Sequence, residues 1–404
     1  MYDNKIRLFV NGKAYDFWEE ASIVSALDAV SMSFDLTVTA NHEANASSLL
    51  PFSVGDHVEI FIDTDLVLTG YIDKTPFDYS ATSASAKVSG HAKTVDLIDC
   101  TVMLDNIQFK NEDVKSWTNT PKKNKTTINA PDVYGISWRK QKLGVIIAQL
   151  INPYNIKLVV EGDIQSKLDK VMNFDATPTD TVLKTIQNLT KNENLLFYCD
   201  EEGDLVVGEK GIKSSTDELV LGGKEGNILT GHADFDGTKL FKYYRIQGQT
   251  KGNNQNFGKS TCNINQTATD PFIKRVRLKT EKEKGQASSS SCKNQADGEM
   301  KFQEGQFNKI TYKVQGWRQK DGSLWKINSK VKIHDYFLGV NTDDSDEFLI
   351  TKVTFNLSNT GGTTTTLEVV PPEGFRIEIN GNESQKQQTS NNTSSQSNLS
   401  WINK

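Results

Sequence analysis

The most restrictive feature of this sequence is the stretch from residue 312 to residue 375, in which short runs of alternating apolar and polar residues are closed by turn formers. Alternation with a period of two predicts β-strands. Asp321-Gly322 and the Gly361-Gly362 pair predict tight turns, since glycine adopts positive φ angles that other residues resist. Pro371-Pro372 predicts the end of the last strand, because proline cannot donate a ladder hydrogen bond. Four or five short strands with this spacing predict a small closed barrel or a sandwich.

A second set of short strands is predicted in residues 1–100. Asn11-Gly12 predicts a tight hairpin turn, and residues 21–31 have a less regular pattern. The strands are predicted at residues 5–10, 15–20, 32–38, 57–62, 66–72 and 86–89. Residues 1–100 and 226–375 share the order of a short strand, a longer strand, a Thr-rich turn and a closing strand. An internal duplication explains this order, and so does chance similarity between two antiparallel modules; the residues alone leave both open.

The middle of the chain, residues 101–225, has a different period and predicts an α/β region. A helix is predicted from Trp138 to Asn152, because five apolar residues recur with helical spacing and Pro153 then ends the helix. A second helix is predicted to start at Thr177-Pro178-Thr179-Asp180, with Thr177 as its cap. Residues 195–207 predict a hairpin. Residues 117–127 are polar, with a basic run at residues 121–125, and predict an exposed loop.

The last two segments are predicted from their polarity. The second β module, residues 226–375, contains a polar, partly helical insertion near residues 280–302. Residues 376–404 are rich in Ser, Asn, Gln and Thr and cannot bury enough apolar surface to order themselves, so a flexible tail is predicted. Trp401 and its apolar neighbours are either part of this loose end or a docking hook. The predicted fold is therefore mainly β and multidomain, with two related small barrel-like domains separated by an α/β domain.

Charge and composition exclude several classes of protein. The chain has 404 residues, 46 basic against 51 acidic, and a formal net charge of −5. A dedicated DNA-binding protein is usually basic, because neutralising phosphates supplies most of its affinity. No apolar run approaches the length of a membrane span, and no charged-then-apolar signal begins the chain. We therefore expect a protein that is made in a reducing cytoplasm and binds no DNA tightly.

No catalytic, cofactor-binding or metal-binding residue is predicted. Gly252 to Ser260 resembles a phosphate-binding loop but has five residues between its glycines where that loop needs four. The acidic loop at residues 343–347 lacks the glycine and the terminal glutamate of a calcium loop. The cysteines have no C-x-x-C pair and the histidines have no metal-ligand spacing, so buried thiols and separate histidines are expected: Cys100, Cys199, Cys262, Cys292, His42, His57, His91, His232 and His334.

Several pieces of the sequence together resemble a known family. A Gly-Trp-Arg start at Gly316 is followed by Asp-Gly-Ser-Leu-Trp-Lys-Ile-Asn, Leu-Ile-Thr-Lys-Val-Thr-Phe, Gly-Gly-Thr-Thr-Thr-Thr-Leu and Pro-Pro-Glu-Gly-Phe. Residues 1–100 add a Thr-Gly-Tyr-Ile-Asp strand and a Gly-His-Ala exit at Gly90. In order and spacing these pieces resemble the tail baseplate hub proteins of Mu-like phages, which are related to the hub portion of type VI secretion spike proteins.

The resemblance implies a structural virion protein and not an enzyme. In that family three copies form a ring, and two related domains per copy give six similar units around its axis. Such a ring matches a six-fold tail tube on one side and a three-fold membrane-piercing spike on the other, with a central channel through which DNA passes without specific binding. The expected partners are two further copies of the chain, the tube protein, the spike protein and other baseplate proteins, assembled in the host cytoplasm. The chain has no repetitive β-helix after the hub portion, so a separate spike is expected.

Two other classes of function stay open from the residues alone. The first is a β-rich carbohydrate-binding or adhesin-type surface module, which exposed aromatic residues beside acids favour. The second is a cell-wall hydrolase attached to a tail, against which the absence of a recognisable catalytic constellation counts. Glycan binding and peptidoglycan clearing distinguish these two classes from a hub.

Overall fold

A computed structural model describes residues 4–41, 52–80, 83–102, 126–128, 137–190, 193, 195–250, 264–342 and 347–375. The chain forms two compact units. Unit 1 contains the described residues of 1–212 and 354–364, and unit 2 contains those of 213–353 and 365–376. β-Strands predominate in both units, so the prediction of a mainly β, multidomain protein is confirmed. No helix in the described ranges is long and apolar enough to cross a membrane.

The first part of unit 1 is an antiparallel sheet with a short helix after it. Its elements are β1 (Ile6–Val10), β2 (Lys13–Tyr15), β3 (Glu20–Ala26), β4 (Ser33–Asn41), β5 (His57–Ile62), β6 (Asp65–Lys74), β7 (Phe77–Tyr79), β8 (Ser83–Ala92) and α1 (Val95–Asp99). Neighbours run in the order β3-β4-β8-β6-β5-β1-β2, and β7 also pairs with β8. The predicted Asn11-Gly12 turn is confirmed: both residues have positive φ angles, and Val10 pairs with Lys13.

Two predictions for this sheet need correction. Residues 20–26 form strand β3, where the sequence predicts a less regular segment, because the apolar Val24 and the polar Ser25 interrupt the alternation that buries Ala21 and Ile23. The predicted strand at residues 15–20 is wrong, since β2 ends at Tyr15 and β3 begins at Glu20. In the described residues the strand order is an open path, so closure into a barrel is not confirmed.

The second part of unit 1 is an α/β arrangement. Its elements are β9 (Thr126–Ile128), β10 (Ser137–Lys142), α2 (Leu143–Ile151), β11 (Leu158–Glu161), α3 (Gln165–Leu168), β12 (Val171–Asp175), α4 (Val182–Thr190), β13 (Leu196–Cys199) and β14 (Leu205–Gly208), with a 3₁₀ turn at Asn152–Tyr154. The sheet order is β13-β14-β11-β9, with β11 and β14 parallel, and β10 pairs with β12. Helices α2 and α4 contribute to one large apolar core with β11, β13 and β14.

Both predicted helices of this region exist, but each begins later than the sequence indicates. Residues 138–142 belong to strand β10, and α2 begins at Leu143. Trp138 is buried like a helix residue, yet its indole N–H donates to Gln149 of α2 from the neighbouring strand, at 2.8 Å. Helix α4 begins at Val182, and the Thr181 hydroxyl accepts from the Lys184 amide, so Thr181 and not Thr177 is the cap.

Unit 2 contains most of the remaining strands and a long helix. Its elements are β15 (Lys213–Ser214), β16 (Leu219–Val220), β17 (Ile228–Ala233), β18 (Tyr243–Gln249), β19 (Ile264–Thr269), β20 (Leu278–Gln286), α5 (Ser289–Phe307), β21 (Ile310–Gln315), β22 (Ser329–Val331), β23 (Ile333–Asp335), β24 (Val340–Asn341), β25 (Phe348–Ser358) and β26 (Gly362–Val370), with 3₁₀ turns at Gly237–Lys239 and Pro372–Gly374. Strand β26 ends immediately before Pro371-Pro372, as predicted. Residues 354–364, from the end of β25 to the start of β26, group with unit 1.

Residues 243–307 form a lobe of their own within unit 2. Strands β19, β18 and β20 make a three-stranded sheet in that order, with β18 and β20 parallel, and α5 contacts β18 and β19. The predicted polar, partly helical insertion is therefore larger than expected. The side-chain hydroxyl of Ser288 accepts from the Ser291 amide and begins the helix with a capping box.

Candidate interaction surface

The residues considered for chemistry remain separate from one another. Within the described ranges no three His, Cys, Asp or Glu side chains are placed to hold a metal ion. His91 pairs with Asp73, and His334 lies between Glu218 and Asn341. The following candidates lie outside the described residues: Gly252 to Ser260, His42, Cys262, residues 343–346 and residues 376–404. Residues 117–125 of the predicted exposed loop also lie outside them, and its last two residues, Thr126 and Thr127, belong to strand β9, so the loop prediction is wrong there. Glu347 accepts a hydrogen bond from the Ser214 hydroxyl.

The described cysteines are unsuited to nucleophilic chemistry. Cys199 and Cys292 are buried and Cys100 is partly buried; all three are free thiols. Burial raises the pKa of Cys199 to about 12. Burial, followed by the Glu283 carboxylate, raises the pKa of Cys292 to about 11. A thiol must lose its proton to act as a nucleophile, so these groups are inert near neutral pH.

Unit 2 presents a pair of large aromatic residues at the tip of the β23–β24 hairpin. Tyr336 and Phe337 are 70% and 78% exposed, and their ring centroids are 4.6 Å apart. Gly339, with a φ of 69°, closes the turn that displays them. Large aromatic side chains that solvent surrounds on a fixed turn are typical of residues that anchor a protein–protein contact.

A buried carboxylate holds this aromatic tip in place. One oxygen of Asp335 accepts from the amides of Phe337, at 2.9 Å, and of Leu338, at 3.2 Å. Its other oxygen accepts from the hydroxyl of the buried Tyr312, at 3.0 Å. Burial, followed by the hydrogen bond to Asp335, raises the pKa of Tyr312, so the phenol stays a donor at neutral pH. The tip is therefore ordered before any partner arrives, which lowers the entropy lost on binding.

The lobe presents a second exposed apolar element in the loop between β19 and β20. Phe272 and Val276 are 83% and 81% exposed. The buried Asp270 carboxylate accepts from the Phe272 amide at 2.8 Å. Arg277 donates to the carbonyls of Gly237 and Thr238, and its guanidinium lies 4.5 Å from the centroid of the Phe241 ring. This loop is therefore also fixed by contacts at both of its ends.

Sequence reasoning missed both of these elements. The signal for the first was two adjacent aromatic residues, Tyr336-Phe337, placed in a turn before a glycine and not on a strand. The signal for the second was Phe272 and Val276 in a segment that also carries Lys274 and Arg275. Rigid, exposed apolar groups are suited to assembly with other proteins.

Comparison with known proteins points to one kind of assembly. Family models match three regions: residues 5–92 match the N-terminal domain of Mu phage baseplate assembly protein GpP-like proteins, residues 130–209 the second domain of baseplate hub protein gp44-like proteins, and residues 288–378 the fourth domain of Mu phage baseplate assembly protein GpP. Together these matches span more than half of the chain. The baseplate hub protein gp44 of Escherichia phage Mu is 25% identical over 380 residues, which are 93% of this chain and 90% of that protein.

Two solved structures share the fold over almost the whole chain. The 43 kDa tail protein of prophage MuSo2 from Shewanella oneidensis has a TM-score of 0.73 at 23% identity, covering 93% of this chain and 100% of that one. The tail protein from Neisseria meningitidis MC58 has a TM-score of 0.67 at 19% identity, covering 92% of this chain and 99% of that one. Each of these two folds covers more than nine-tenths of this chain. The three matched regions therefore belong to one continuous fold that the two tail proteins share with this chain.

Proposed function

Because this chain belongs to the Mu-like phage baseplate hub proteins, we propose that three copies form a ring that joins the six-fold tail tube to a three-fold spike. One observation carries the proposal. Three hub-domain models match in succession along a single chain, and the identity to the phage Mu hub protein extends over 93% of its length. The protein is thus a virion component of a phage or prophage-derived tail, with a structural role.

The geometry supports an assembly role through its exposed anchors. Tyr336 and Phe337 are displayed by a hairpin whose turn is fixed by Asp335, and Phe272 is displayed by a separate fixed loop. A ring subunit needs contacts on more than one side, because a closed ring uses two different surfaces of each copy and further surfaces for the proteins above and below. Rigid apolar anchors in two places fit that requirement.

Passage of DNA through the ring is the second part of the proposal. The chain has a formal net charge of −5, so it lacks the excess of cations that holds phosphates tightly. A channel wall without net attraction lets DNA slide instead of adhering. Duplex DNA should therefore bind weakly to the assembled ring, and submicromolar binding of DNA at physiological salt would contradict this part.

The test of the proposal is the mass and shape of the purified chain. We expect light scattering to give about three times the 45.0 kDa of one chain, and electron microscopy to give rings with a central hole. Isolated tail tube protein should stack on one side of these rings. A stable oligomer of compact particles without a hole, with a mass that fits no ring, would contradict the hub function.

A carbohydrate-binding module is the second candidate, because exposed aromatic residues beside acids are the feature it uses. Tyr336 and Phe337 are exposed, but the neighbouring Asp335 is buried and both of its oxygens accept hydrogen bonds from the protein. The acid is thus not free to bind sugar hydroxyls. A glycan screen decides the matter: saturable binding that Tyr336→Ala and Phe337→Ala abolish would favour the surface module over the hub.

A further inference from the structure

The outer side of the three-stranded sheet in the lobe is basic, and none of the residues described on that side is an acid. The strand register places Arg245 beside Thr267 and Thr280, and Gln247 beside Asn265 and Lys282, with Tyr244 and Ile246 pointing to the helix side. Arg245 and Lys282 are exposed, and neither has a carboxylate partner among the described residues. The acids of β20 lie on the helix side, where Glu281 pairs with Lys279 and Glu283 accepts from Cys292.

The exposed loop before β20 continues this surface. It crosses the end of β18, since the Tyr243 amide donates to the Arg277 carbonyl at 3.0 Å and the Asp270 amide donates to the Lys242 carbonyl at 2.9 Å. Lys274 and Arg275 are exposed in this loop, again without a carboxylate partner in the part of the chain that the structure describes. We call the combination of Arg245, Lys282, Lys274 and Arg275 with the apolar Phe272 and Val276 the basic face.

The composition of the basic face favours a protein partner over a nucleic acid. Phe272 and Val276 are more than four-fifths exposed and stand on either side of Lys274 and Arg275 in the loop. Surfaces that bind nucleic acids are polar and strongly positive, whereas protein contacts combine aromatic residues with arginine around an apolar centre. The partner must therefore offer carboxylates opposite these cations.

The same chain offers such carboxylates in unit 1. Asp96 and Asp99 lie three residues apart on α1 and therefore on one side of it, and the carboxylate of Asp73 on β6, which pairs with His91, acts on Asp96 through its charge; we call these three carboxylates the acidic corner. Burial, followed by the charges of Asp99 and then of Asp73, raises the pKa of Asp96, so both neighbouring carboxylates oppose the charge of Asp96. No cation in the described ranges forms an ion pair with Asp96 or Asp99. Burial, followed by Asp96 and Asp99, also raises the pKa of Cys100, which indicates that the negative potential of the corner extends to its neighbours.

We propose that the basic face of unit 2 binds the acidic corner of unit 1 in a second copy of this chain. The inference rests on the proposed ring, in which contacts of head-to-tail type join two different surfaces of identical chains. A second copy is the partner that the charges favour, because a chain with a net charge of −5 that concentrates cations on one surface is complementary to itself. Each surface carries charges of a single sign, so two copies of the basic face repel each other, and so do two copies of the acidic corner.

The experiment compares charge reversals by light scattering of the full-length protein. Arg245→Glu with Lys282→Glu should weaken association between copies by about tenfold or more, because two attractive contacts become repulsive. The control is Lys13→Glu with Lys224→Glu, which makes the same change in net charge at two exposed lysines without described carboxylate partners in other places. The control should keep the mass of the wild type, and circular dichroism should show that all variants are folded.

The reciprocal change tests the acidic corner. Adding Asp96→Lys and Asp99→Lys to the Arg245→Glu, Lys282→Glu chain should restore association, since each contact again joins opposite charges. Phe272→Ser with Val276→Ser should also weaken association, whereas Tyr79→Ser, which removes an equally exposed aromatic residue of unit 1, should not. Raising the salt concentration from about 0.1 M to 1 M, which shortens the screening length to roughly 3 Å, should weaken the wild-type assembly.

Each outcome of this series has a defined meaning. Rings that persist unchanged in Arg245→Glu, Lys282→Glu overturn the inference and leave the hub function intact. Loss of rings without rescue overturns the pairing with the acidic corner. A wild-type chain that stays monomeric at its highest soluble concentration also overturns the inference, and in that case stacking on the tube protein decides the hub function separately. Duplex DNA binding that Arg245→Glu, Lys282→Glu removes, with no change in mass, would assign the face to nucleic acid instead.

Discussion

Two regions of this protein place helices on a sheet, and they are stabilised in different ways. The α/β part of unit 1 packs α2 and α4 into a core of more than twenty buried apolar residues. Among the described residues, the lobe of unit 2 packs α5 on its sheet around an apolar cluster of six, three of which are alanines. Helix α5 buries Glu299 and Gln303 as well as small residues. Besides its small core, the lobe therefore relies on close backbone approach, helix capping and paired charges.

The contrast extends to how each region uses charge. In unit 1 the Lys93 ammonium at the end of β8 pairs with Asp204 at 3.3 Å, and both groups are almost fully buried. Asp204 lies in the β13–β14 turn and also accepts from the Lys157 amide. In the lobe the Glu299 carboxylate is buried but accepts from Lys279, a residue that is partly exposed, and from Gln303. Removing one partner of a buried ion pair leaves the other charge without compensation, whereas water can solvate the remaining charge of an exposed pair.

The largest effect should come from breaking the buried pair of unit 1. Asp204→Ala should lower the free energy of unfolding by about 3–5 kcal/mol, because Lys93 is left charged and buried without its carboxylate. Chemical denaturation measures the change. The matched control is Asp297→Ala, which removes an ion pair with Lys293 in which both side chains are exposed, and should lower stability by less than about 1 kcal/mol. Similar losses in the two variants would contradict the distinction.

The next effect should come from the close backbone contact between Gly305 of α5 and Gly374 in unit 2. A methyl group on Gly305 of α5 would lie 2.1 Å from the Gly374 Cα atom, so Gly305→Ala should destabilise the protein by about 1–3 kcal/mol. Gly298 lies on the same helix, and a methyl group added there would meet no described atom within 4 Å, so Gly298→Ala should stabilise by roughly 0.5–1 kcal/mol through helix propensity. Thermal unfolding of the two variants should shift in opposite directions. A stabilising Gly305→Ala would show that the helix is not held against the 372–374 turn.

A smaller effect should come from the cap of α5. Ser288→Ala removes the hydroxyl that accepts from the Ser291 amide, and should lower stability by about 1 kcal/mol. Ser288→Asp restores an acceptor and should recover most of the loss. Hydrogen exchange of the first turn of α5 gives the local reading: it should accelerate in the alanine variant and not in the aspartate variant. Equal exchange in both would contradict a role for the cap.

The smallest effect should come from the acidic corner of unit 1 and should depend on pH. Burial and two neighbouring carboxylates raise the pKa of Asp96 above that of the unfolded chain, so ionising this group opposes folding. The favourable state is the protonated one, which is complete below the unfolded pKa of about 4 and is lost as the pH rises through the folded pKa. Asp96→Asn should therefore raise the melting temperature of the unassembled chain by a few degrees at pH 7 and not below about pH 4.

The effect of Asp96→Asn on stability should differ between the single chain and the ring. If the basic face of a second copy neutralises the corner, the gain from Asp96→Asn should disappear in the ring and association should weaken. An Asp96→Asn gain of the same size in monomer and ring would contradict such a contact.

Much of the fold could be predicted where the local pattern is strong. The apolar face of α2, the hairpin β13–β14 and the turn at Asn11-Gly12 follow from spacing and turn chemistry alone. The helix starts could not be predicted in the same way. Trp138 is of a residue type found in helices but lies in strand β10, and Thr177 is of a residue type found at caps but Thr181 caps α4. Trp138 lies in a strand because it pairs with Phe174, which lies 36 residues further along the chain.

The exposed aromatic pair and the basic face could not be predicted from the sequence, because both depend on contacts between distant residues. Tyr336 and Phe337 could equally have been core residues, and only their exposure in the folded chain distinguishes an anchor from a packed side chain. Likewise Arg245 and Lys282 are visible in the sequence, but their presence on one side of the sheet depends on the register of β18 with β20. Register is a long-range property, and a shift of one residue would send a cation to the helix side.

The sequence by itself determined the β-rich class, the turns, the helical faces and the resemblance to hub proteins, because these depend on residue periodicity and on motif order along the chain. The tertiary structure alone decided which strands are neighbours, which apolar residues remain in solvent, and which charges are buried in pairs. Those properties arise from contacts between residues far apart in the chain, such as Lys93 with Asp204 and Tyr312 with Asp335. Local preferences do not encode such contacts, since the free energy that selects them comes from burying the whole surface at once.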